Sequence, residues 1–325
     1  MTGHAVIDLG SVSTKLLVTG PGGRLRRSAD TIMGGAVMSP VGVVTGRPFG
    51  DAALDRVDRT LSGFGRVLGE RGLSGDPAAL TVVGTAGCRS ATDLDRLRTL
   101  VRARVGVELT VLGADEEARL GFLGAASDPA LAGTGPVVTL DLGGGSTELA
   151  AGTAAGGIHA GRSLPIGGRL LSATYLHADP PAPEELSAML SVVELHVDDV
   201  DREVPPVVEA LRAGAPLLAT GAVITIAAVE IGLIDDPLNG SGDGPVHGFV
   251  LSRDAAEDVF RTVATEAADD RRHNPGLPAG RVDDIVGSCG LLVGVMRRLN
   301  LPEVVVSQRG LADGIIATAG QTTGG

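Results

Sequence analysis

Aromatic residues and cysteines are scarce in this chain of 325 residues. It has no Trp, one Tyr, five Phe and two cysteines, Cys88 and Cys289. Two cysteines provide neither a disulfide framework nor a metal-binding cysteine cluster. We therefore expect each to be a small buried apolar residue, in a core built mainly from Val, Leu, Ile and Ala.

Positive charge and long apolar runs are also lacking. The formal net charge is −12, and long-range repulsion disfavours broad binding of nucleic acid or of an anionic membrane surface. There is no signal-peptide pattern, and no apolar run approaches the roughly 20 residues that a membrane helix needs. We expect a soluble cytoplasmic protein without nucleic-acid or membrane partners, which must hold any phosphate substrate locally.

Glycine is abundant, at 49 of 325 residues, and a glycine-serine motif occurs twice. Residues 5–18 and residues 137–150 each form an apolar run, a Gly/Ser turn and a second apolar run. The matching residues, from Asp8 with Asp141 to Leu16 with Leu149, have a constant offset of 133. The pattern predicts two hairpins produced by an internal duplication. Together with a length that exceeds one typical core, it predicts two domains.

Helical and strand-like patterns alternate around the two repeats. Apolar spacing predicts helices at residues 51–69, 92–105, 184–200 and 254–268. Strands followed by glycine turns are predicted at residues 81–86 and 217–222, a glycine- and aspartate-rich loop at 235–244, and a strand, turn and helix at 304–319. This alternation predicts an α/β fold in layers.

Each repeated motif has the chemistry of a phosphate-binding loop. Glycines let the backbone approach an anion, hydroxyls donate hydrogen bonds, and the preceding carboxylate, Asp8 or Asp141, can hold a divalent cation or its waters. Two such loops facing each other would clamp a phosphate. Lys15 and Glu148 occupy equivalent positions, which suits one phosphate site and one metal or water site, although both could also be ordinary charged strand residues.

A cluster of acidic residues, Asp115, Glu116 and Glu117, opens a predicted helix. From its composition alone, stabilisation of the helix N-terminus explains it best, and a general base for a water molecule is the alternative. The six histidines have no metal-ligand spacing, and no Gly-x-Ser-x-Gly or Cys/His pattern indicates a covalent nucleophile.

Over nearly its whole length the chain resembles the exopolyphosphatase and guanosine pentaphosphate phosphohydrolase (Ppx/GppA) family, in the superfamily of actin, sugar kinases and chaperone ATPases. The specific motifs are the triple-glycine loop at residues 141–148 and the acidic helix at 115–120; the others lie at residues 8–13, 85–91, 163–168, 219–222, 246–248, 275–277, 281 and 310–314. The short two-domain form implies two ribonuclease-H-like (actin-like ATPase) domains that face an interdomain cleft. Residues 1–123 plus 306–320 would form the first domain, with the C-terminal helix returning to it, and residues 124–305 the second.

The resemblance also implies roles for particular residues. Glu117 would activate the water, which reverses the interpretation of the acidic helix as a simple cap. Asp141, Glu148 and Asp8 would hold Mg²⁺ or Mn²⁺. The phosphate-binding residues would be Ser11, Ser13, Lys15, Arg89, Gly143, Gly144, Gly145, Ser146, Thr147 and Gly221. A homodimer is common in this family.

The chain departs from the family pattern in the expected substrate pocket. Val12 stands where Asn is usual, hydroxyls are lost around Val223, an Arg is missing from residues 31–35, and Gln308 replaces an acidic residue. We predict magnesium-assisted release of a terminal phosphate from polyphosphate or pppGpp. The alternatives are a phosphatase for a small nucleotide-like or sugar phosphate monoester, and a kinase-like or nucleotide-sensing protein that does not hydrolyse.

Overall fold

The computed structural model describes residues 3–39 and 44–322, which contain two six-stranded sheets and the helices that cover them. The strands are β1 His4–Leu9, β2 Ser13–Thr19, β3 Leu25–Asp30, β4 Ala36–Met38, β5 Val44–Gly46, β6 Leu80–Gly84, β7 Leu109–Val111, β8 Pro136–Leu142, β9 Thr147–Thr153, β10 Gly157–Leu164, β11 Leu217–Gly221, β12 Gly240–Ser241, β13 Val250–Ser252 and β14 Glu303–Val306. The helices are α1 Asp51–Glu70, α2 Ala86–Ser90, α3 Leu94–Val105, α4 Ala114–Ala125, α5 Pro129–Ala132, α6 Gly168–Tyr175, α7 Pro183–Glu203, α8 Pro205–Arg212, α9 Ala222–Glu230, α10 Arg253–Thr265, α11 Ala268–Arg271, α12 Ile285–Arg298 and α13 Leu311–Thr322, with a 3-10 helix at Ala279–Arg281.

The two sheets share one topology. In the first, five strands follow the order β3-β2-β1-β6-β7, and in the second the corresponding order is β10-β9-β8-β11-β14. In both sets of five the first three strands are antiparallel neighbours, and the other two run parallel to the central one. The edge strands β12 and β13 pair antiparallel with β3 and β14. The predicted hairpins and the ribonuclease-H-like α/β fold are therefore confirmed.

Aliphatic side chains build the cores around both sheets. The larger core includes α7, α9, α10 and α12 on the second sheet, and a smaller one joins α1 and α3 to the first sheet. Cys88 and Cys289 are both buried in these cores, as predicted, and burial raises the pKa of the Cys88 thiol to about 12. No helix in the described part of the chain is both long and apolar enough to cross a membrane.

Helices α4 and α13 lie together between the two sheets. Leu311 and Ile315 of α13 pack on the first sheet with Leu120 of α4, whereas Phe122 of α4 packs on the second. The two helices approach so closely that a Cβ on Gly124 or Gly314 would collide with backbone of the opposite helix. Since α4 contacts both cores, the domain boundary between residues 123 and 124 stays a prediction.

Two sequence-based boundaries were wrong. The helix predicted at residues 254–268 ends at Thr265, because Glu266 has extended backbone with φ −88° and ψ 141°. The loop predicted at residues 235–244 contains β12, which pairs with β3 at the edge of the first sheet through Gly240 and Arg26. A segment from the second half of the chain thus extends the sheet of the first half.

Candidate active site

The two repeated loops have the same turn at the end of the central strand of each sheet. The amide of Gly10 donates to the carbonyl of Ser13 at 3.0 Å, and the amide of Gly143 donates to the carbonyl of Ser146 at 3.0 Å. Because both central strands end at the cleft, the duplicated turns face each other. The structure thus brings the two halves of the predicted clamp together.

The loops contact each other directly. A Cβ built on Gly144 would overlap a methyl group of Val12, and one on Gly145 would lie 2.6 Å from Ser11 Oγ. Side chains of the first loop therefore occupy the space that the glycines of the second loop leave free. Only glycine at these two positions permits this approach without displacement of the facing loop.

Asp8 and Asp141 lie at equivalent register positions, opposite Lys15 and Glu148 respectively. Burial raises the pKa of Asp8 to about 6, while Lys15 opposes the shift and Asp141 adds to it. Burial likewise raises the pKa of Asp141, against the effect of Lys15. Asp8 Oδ1 is buried and has no hydrogen-bond partner within residues 3–39 and 44–322, which is the environment in which a carboxylate gains from a bound cation.

Glu148 is 5% exposed and lies on β9, next to β10. Ser163 Oγ, directly opposite in the register, donates to Glu148 Oε1 at 2.7 Å. Burial raises the pKa of Glu148 well above its ordinary value, and repulsion from Glu117 and Asp141 adds to the shift. The carboxylates therefore share one buried, mutually repelling environment.

Glu117 extends from the first turn of α4 towards these carboxylates and forms an ion pair with Arg89 of α2. Burial raises its pKa to about 7; Arg89 opposes this shift, whereas Asp8 and Asp141 add to it. Arg89 also donates to the carbonyl of Leu112 at 3.1 Å, which fixes the guanidinium. A carboxylate held by an arginine, with a pKa near neutrality, has the properties of a general base.

Two cavities lie on either side of the paired loops and share Ser11, Ala86 and residues 144–146 in their walls. The first, of about 140 Å³, contains five acidic groups, and basic side chains also line it: Asp8, Glu117, Asp141, Glu148 and Asp313, with Lys15, Arg26, Arg27 and Arg281. The second, of about 440 Å³, is lined by Arg47, Arg89 and Arg169. We call them the carboxylate cavity and the arginine cavity.

Most of the residues predicted from the sequence line one of these cavities. Ser13, Lys15, Gly143 and Gly221 line the carboxylate cavity, whereas Arg89 lines the arginine cavity. Thr147 lines neither: its side chain is fully buried, and Oγ1 donates to the carbonyl of Ile166 at 2.8 Å. Its hydroxyl thus has a structural partner on the approach to α6 and is not directed at the cleft.

Residues outside the predicted set also reach the site: Ser163, Arg47 and Arg169 at the arginine cavity, and Arg26, Arg27, Arg281 and Asp313 at the carboxylate cavity. Ser163 was noted only as part of a motif, and its partnership with Glu148 depends on the pairing of β9 with β10. Arg47 and Arg169 are more than 100 positions apart in the chain. No local pattern could have placed them in one cavity.

Another cluster, formed by Asp128, Asp243 and His247, has ligand atoms within 4.8 Å of one another. None of the three residues is among the described residues that line the carboxylate cavity, and their charges are already paired. His247 Nε2 and Asp128 Oδ2 are 2.8 Å apart, and Arg309 bonds Asp243 at 2.8 Å. Arg309 holds the pKa of Asp243 well below its usual range. We assign this cluster to an ion-pair network.

The fold and the site define a two-lobed α/β enzyme of phosphate chemistry, and comparison with known proteins agrees. Exopolyphosphatase 1 of Mycobacterium tuberculosis (strain H37Rv) is 27% identical over 319 residues, which cover 96% of this chain and 86% of that protein. Exopolyphosphatase 2 of the same organism is 28% identical over 338 residues, which cover 97% and 98% of the two chains.

Solved structures show the same architecture along the whole chain. The crystal structure of an exopolyphosphatase-like protein matches with a TM-score of 0.82 and 25% identity over 99% of both chains. The Ppx/GppA family member of Aquifex aeolicus matches with a TM-score of 0.73 and 22% identity, over 100% of this chain and 99% of the other. Residues 47–321 match the model of the Ppx/GppA phosphatase family. The chain belongs to that family.

Proposed function

We propose that this phosphatase is an exopolyphosphatase, which releases the terminal phosphate of inorganic polyphosphate or pppGpp by attack of water. The observation that carries the proposal is Glu117: a carboxylate with 11% of its side chain exposed, ion-paired with Arg89, beside the two facing glycine-serine loops. The curated relatives named above are exopolyphosphatases, which supports the same substrate class.

In the proposed reaction Glu117 accepts a proton from water while the water oxygen bonds to the terminal phosphorus. The bridging P–O bond breaks, inorganic phosphate is released, and the remaining chain leaves as an oxyanion one phosphate shorter. Ser11, Ser13 and the loop at residues 143–146 hold the transferred group by hydrogen bonds and backbone amides. Arg89 orients Glu117 and compensates phosphate charge next to it.

Asp8, Asp141 and Glu148 would hold a divalent cation, Mg²⁺ or Mn²⁺. The donor set fits, because Asp8 Oδ1 is buried without a partner and hard cations prefer carboxylate oxygens. When bound, such an ion neutralises charge on the phosphoryl oxygens. Binding can be checked without turnover: the thermal midpoint should rise when MgCl₂ replaces EDTA, and the rise should be much smaller in Asp8→Asn.

A phosphate-release assay tests the function. The purified protein is assayed with polyphosphate, pppGpp and a panel of sugar and nucleotide monophosphates, with and without magnesium. Metal-dependent release from the first two, above that from all monoesters, is the expected result. A higher specificity constant for a monoester would overturn the proposal and favour a phosphomonoesterase, in agreement with the donor missing at Val12. Transfer of phosphate from ATP to an acceptor would show a kinase instead.

Cytoplasmic location and a homodimer stay predictions. The oligomeric state can be measured by size-exclusion chromatography with light scattering. A monomer at micromolar concentration would contradict the expected dimer.

A further inference from the structure

The two cavities beside the paired loops differ in charge. The carboxylate cavity is lined by the acidic residues Asp8, Glu117, Asp141, Glu148 and Asp313 and by the basic residues Lys15, Arg26, Arg27 and Arg281, so charges of both signs meet there. The arginine cavity has three arginines and no Asp or Glu among its described lining residues. In a chain with a net charge of −12, a cavity with this charge is a local anion site and not a reflection of the overall surface. Its volume of about 440 Å³ exceeds that of the carboxylate cavity, about 140 Å³.

Arg47 stands out among the three arginines because its side chain has no ion-pair or hydrogen-bond partner among the described residues, and it is exposed. Its backbone is fixed: the amide donates to the carbonyl of Gly35 at 3.1 Å, and the preceding Gly46 packs against the carbonyl of Ser90 at the end of α2. The guanidinium lies against Gly34. Arg47 is thus held beside the helix that carries Arg89, and no acidic group among the described residues compensates its charge.

Arg169 supplies the opposite wall, from the first turn of α6. It pairs with the buried Asp284 at 3.2 Å, and the amide of the next residue, Leu170, donates to the carbonyl of Gly144 at 3.1 Å. The start of α6, which carries Arg169, is therefore bonded directly to the second loop. Arginines from both lobes converge on the cavity, next to the position where the loops hold the reacting phosphate.

The other end of the cleft is bridged by a segment that we call the strap, residues 237–244. It adds β12 to the first sheet, Asn239 accepts from the amide of Ser28 at 2.9 Å, and Asp243 pairs with Arg26 at 3.3 Å. Ser28, Arg26 and Leu238 of this region line the carboxylate cavity. On that side Arg26 is already paired with Asp243 and Asp313, and Arg281 with Asp30, so acidic partners compensate the charge of these arginines, in contrast to Arg47.

From these observations we infer that the arginine cavity is the subsite for the rest of the substrate: a linear phosphoanhydride chain that continues from the reacting phosphate past Arg89 to Arg47 and Arg169. The inference rests on the proposed function, and it adds the direction in which the bound phosphate chain runs through the cleft. The terminal phosphate faces the carboxylates, and the remaining chain runs away from the strap, between α2 and α6. Arg47 is then a residue that determines specificity for chain length.

Arg47→Gln tests the inference, with Arg47→Lys as the conservative variant and Arg66→Gln as the control. Arg66 is an exposed arginine of α1, so its replacement makes the same change of charge away from the cavities. The specificity constant is measured for long-chain polyphosphate, tripolyphosphate and pppGpp. Arg47→Gln should lower the value for the long chain about tenfold and that for tripolyphosphate much less. Arg47→Lys should lie between, and Arg66→Gln should equal the wild type.

An equal effect of Arg47→Gln on both chain lengths, or no effect, would overturn the inference. A loss confined to pppGpp would also overturn it, because the occupant would then be the nucleoside. If the wild type releases phosphate from none of the three, the proposed function fails. Calorimetric titration of wild type and Arg47→Gln with long-chain polyphosphate then still decides the subsite: tighter binding to the wild type supports it, and equal affinities contradict it.

Discussion

The two phosphate loops come from one repeated hairpin but have different side chains at the cleft. The first loop presents Ser11 and Val12, whereas the second presents glycines at residues 143–145. Val12 and Ser11 pack into the space over Gly144 and Gly145. On the strand that follows, Lys15 of the first half corresponds to Glu148 of the second.

This difference shows that the two copies of a duplicated motif can have different roles in one site. The second loop, without side chains, lets the backbone of the facing loop approach, and its strand adds a carboxylate to the site. The first loop fills the gap and, through Lys15, partly offsets the charge of Asp8 and Asp141. Two copies of the second half would place a second Glu where Lys15 stands, and two copies of the first half would leave the site without Glu148. We expect the following experiments to test this division, in decreasing order of effect.

Replacement of the base should have the largest effect. Glu117→Gln removes the proton acceptor and keeps the shape, so kcat should fall by about 10² to 10⁴ while the thermal midpoint stays near or above that of the wild type. Glu116→Gln is the matched control, because Glu116 is the neighbour on the same helix and pairs with Arg119 at 2.8 Å instead. Near-normal turnover by Glu117→Gln would remove Glu117 from the mechanism.

A methyl group at Gly144 should damage the site through the opposite loop. In Gly144→Ala the new Cβ meets Val12, which is β-branched and stiff, so the loops must separate. A misplacement of this size should cost about 10- to 100-fold in kcat/KM. The double variant Val12→Ala/Gly144→Ala should recover most of the loss. If the double variant is as impaired as Gly144→Ala, a collision with Val12 does not explain the loss of activity.

Buried carboxylates should make the metal-free protein less stable as the pH rises. The pKa of Asp8 rises from 3.8 to about 6 and that of Glu117 from 4.5 to about 7. Because both folded-state values lie above the unfolded ones, their protonated forms favour folding at low pH, and this contribution is lost as the pH passes 6 and then 7. In EDTA the thermal midpoint should fall by a few degrees between pH 5 and pH 8.

Asp8→Asn and Glu117→Gln provide the comparison for this pH dependence, and each should flatten it. Asp243 does not contribute in this range, since Arg309 holds its pKa well below its usual value. A midpoint that is constant or rises from pH 5 to pH 8 in the wild type would contradict the predicted electrostatics of the carboxylate cavity.

The smallest effect is expected from Val12→Asn, which adds a hydrogen-bond donor to the first loop. One further donor to a phosphate oxygen contributes about 1 kcal/mol, so kcat/KM for polyphosphate should rise a few-fold. Val12→Ala controls for the loss of the apolar contact. A decrease with Asn but not with Ala would show that an apolar residue is required at this position.

The fold could be predicted closely from local patterns, and part of the site could not. The repeat at residues 5–18 and 137–150 predicted both hairpins, since each needs only alternating apolar strands and a glycine turn. Thr147 was grouped with the phosphate-binding hydroxyls, yet its hydroxyl bonds the carbonyl of Ile166. Arg47 was not singled out, because its place beside Arg89 depends on the packing of Gly46 against Ser90.

The amino-acid sequence by itself determined the α/β class and the duplicated loops, because these depend on composition and on spacing within short segments. Only the tertiary structure decided which charges meet. It buried Asp8, Glu117 and Glu148 together and raised their pKa values, and it placed arginines from both lobes in a separate cavity. Such effects depend on burial and on contacts between residues far apart in the chain, and these exist only once the two sheets face each other.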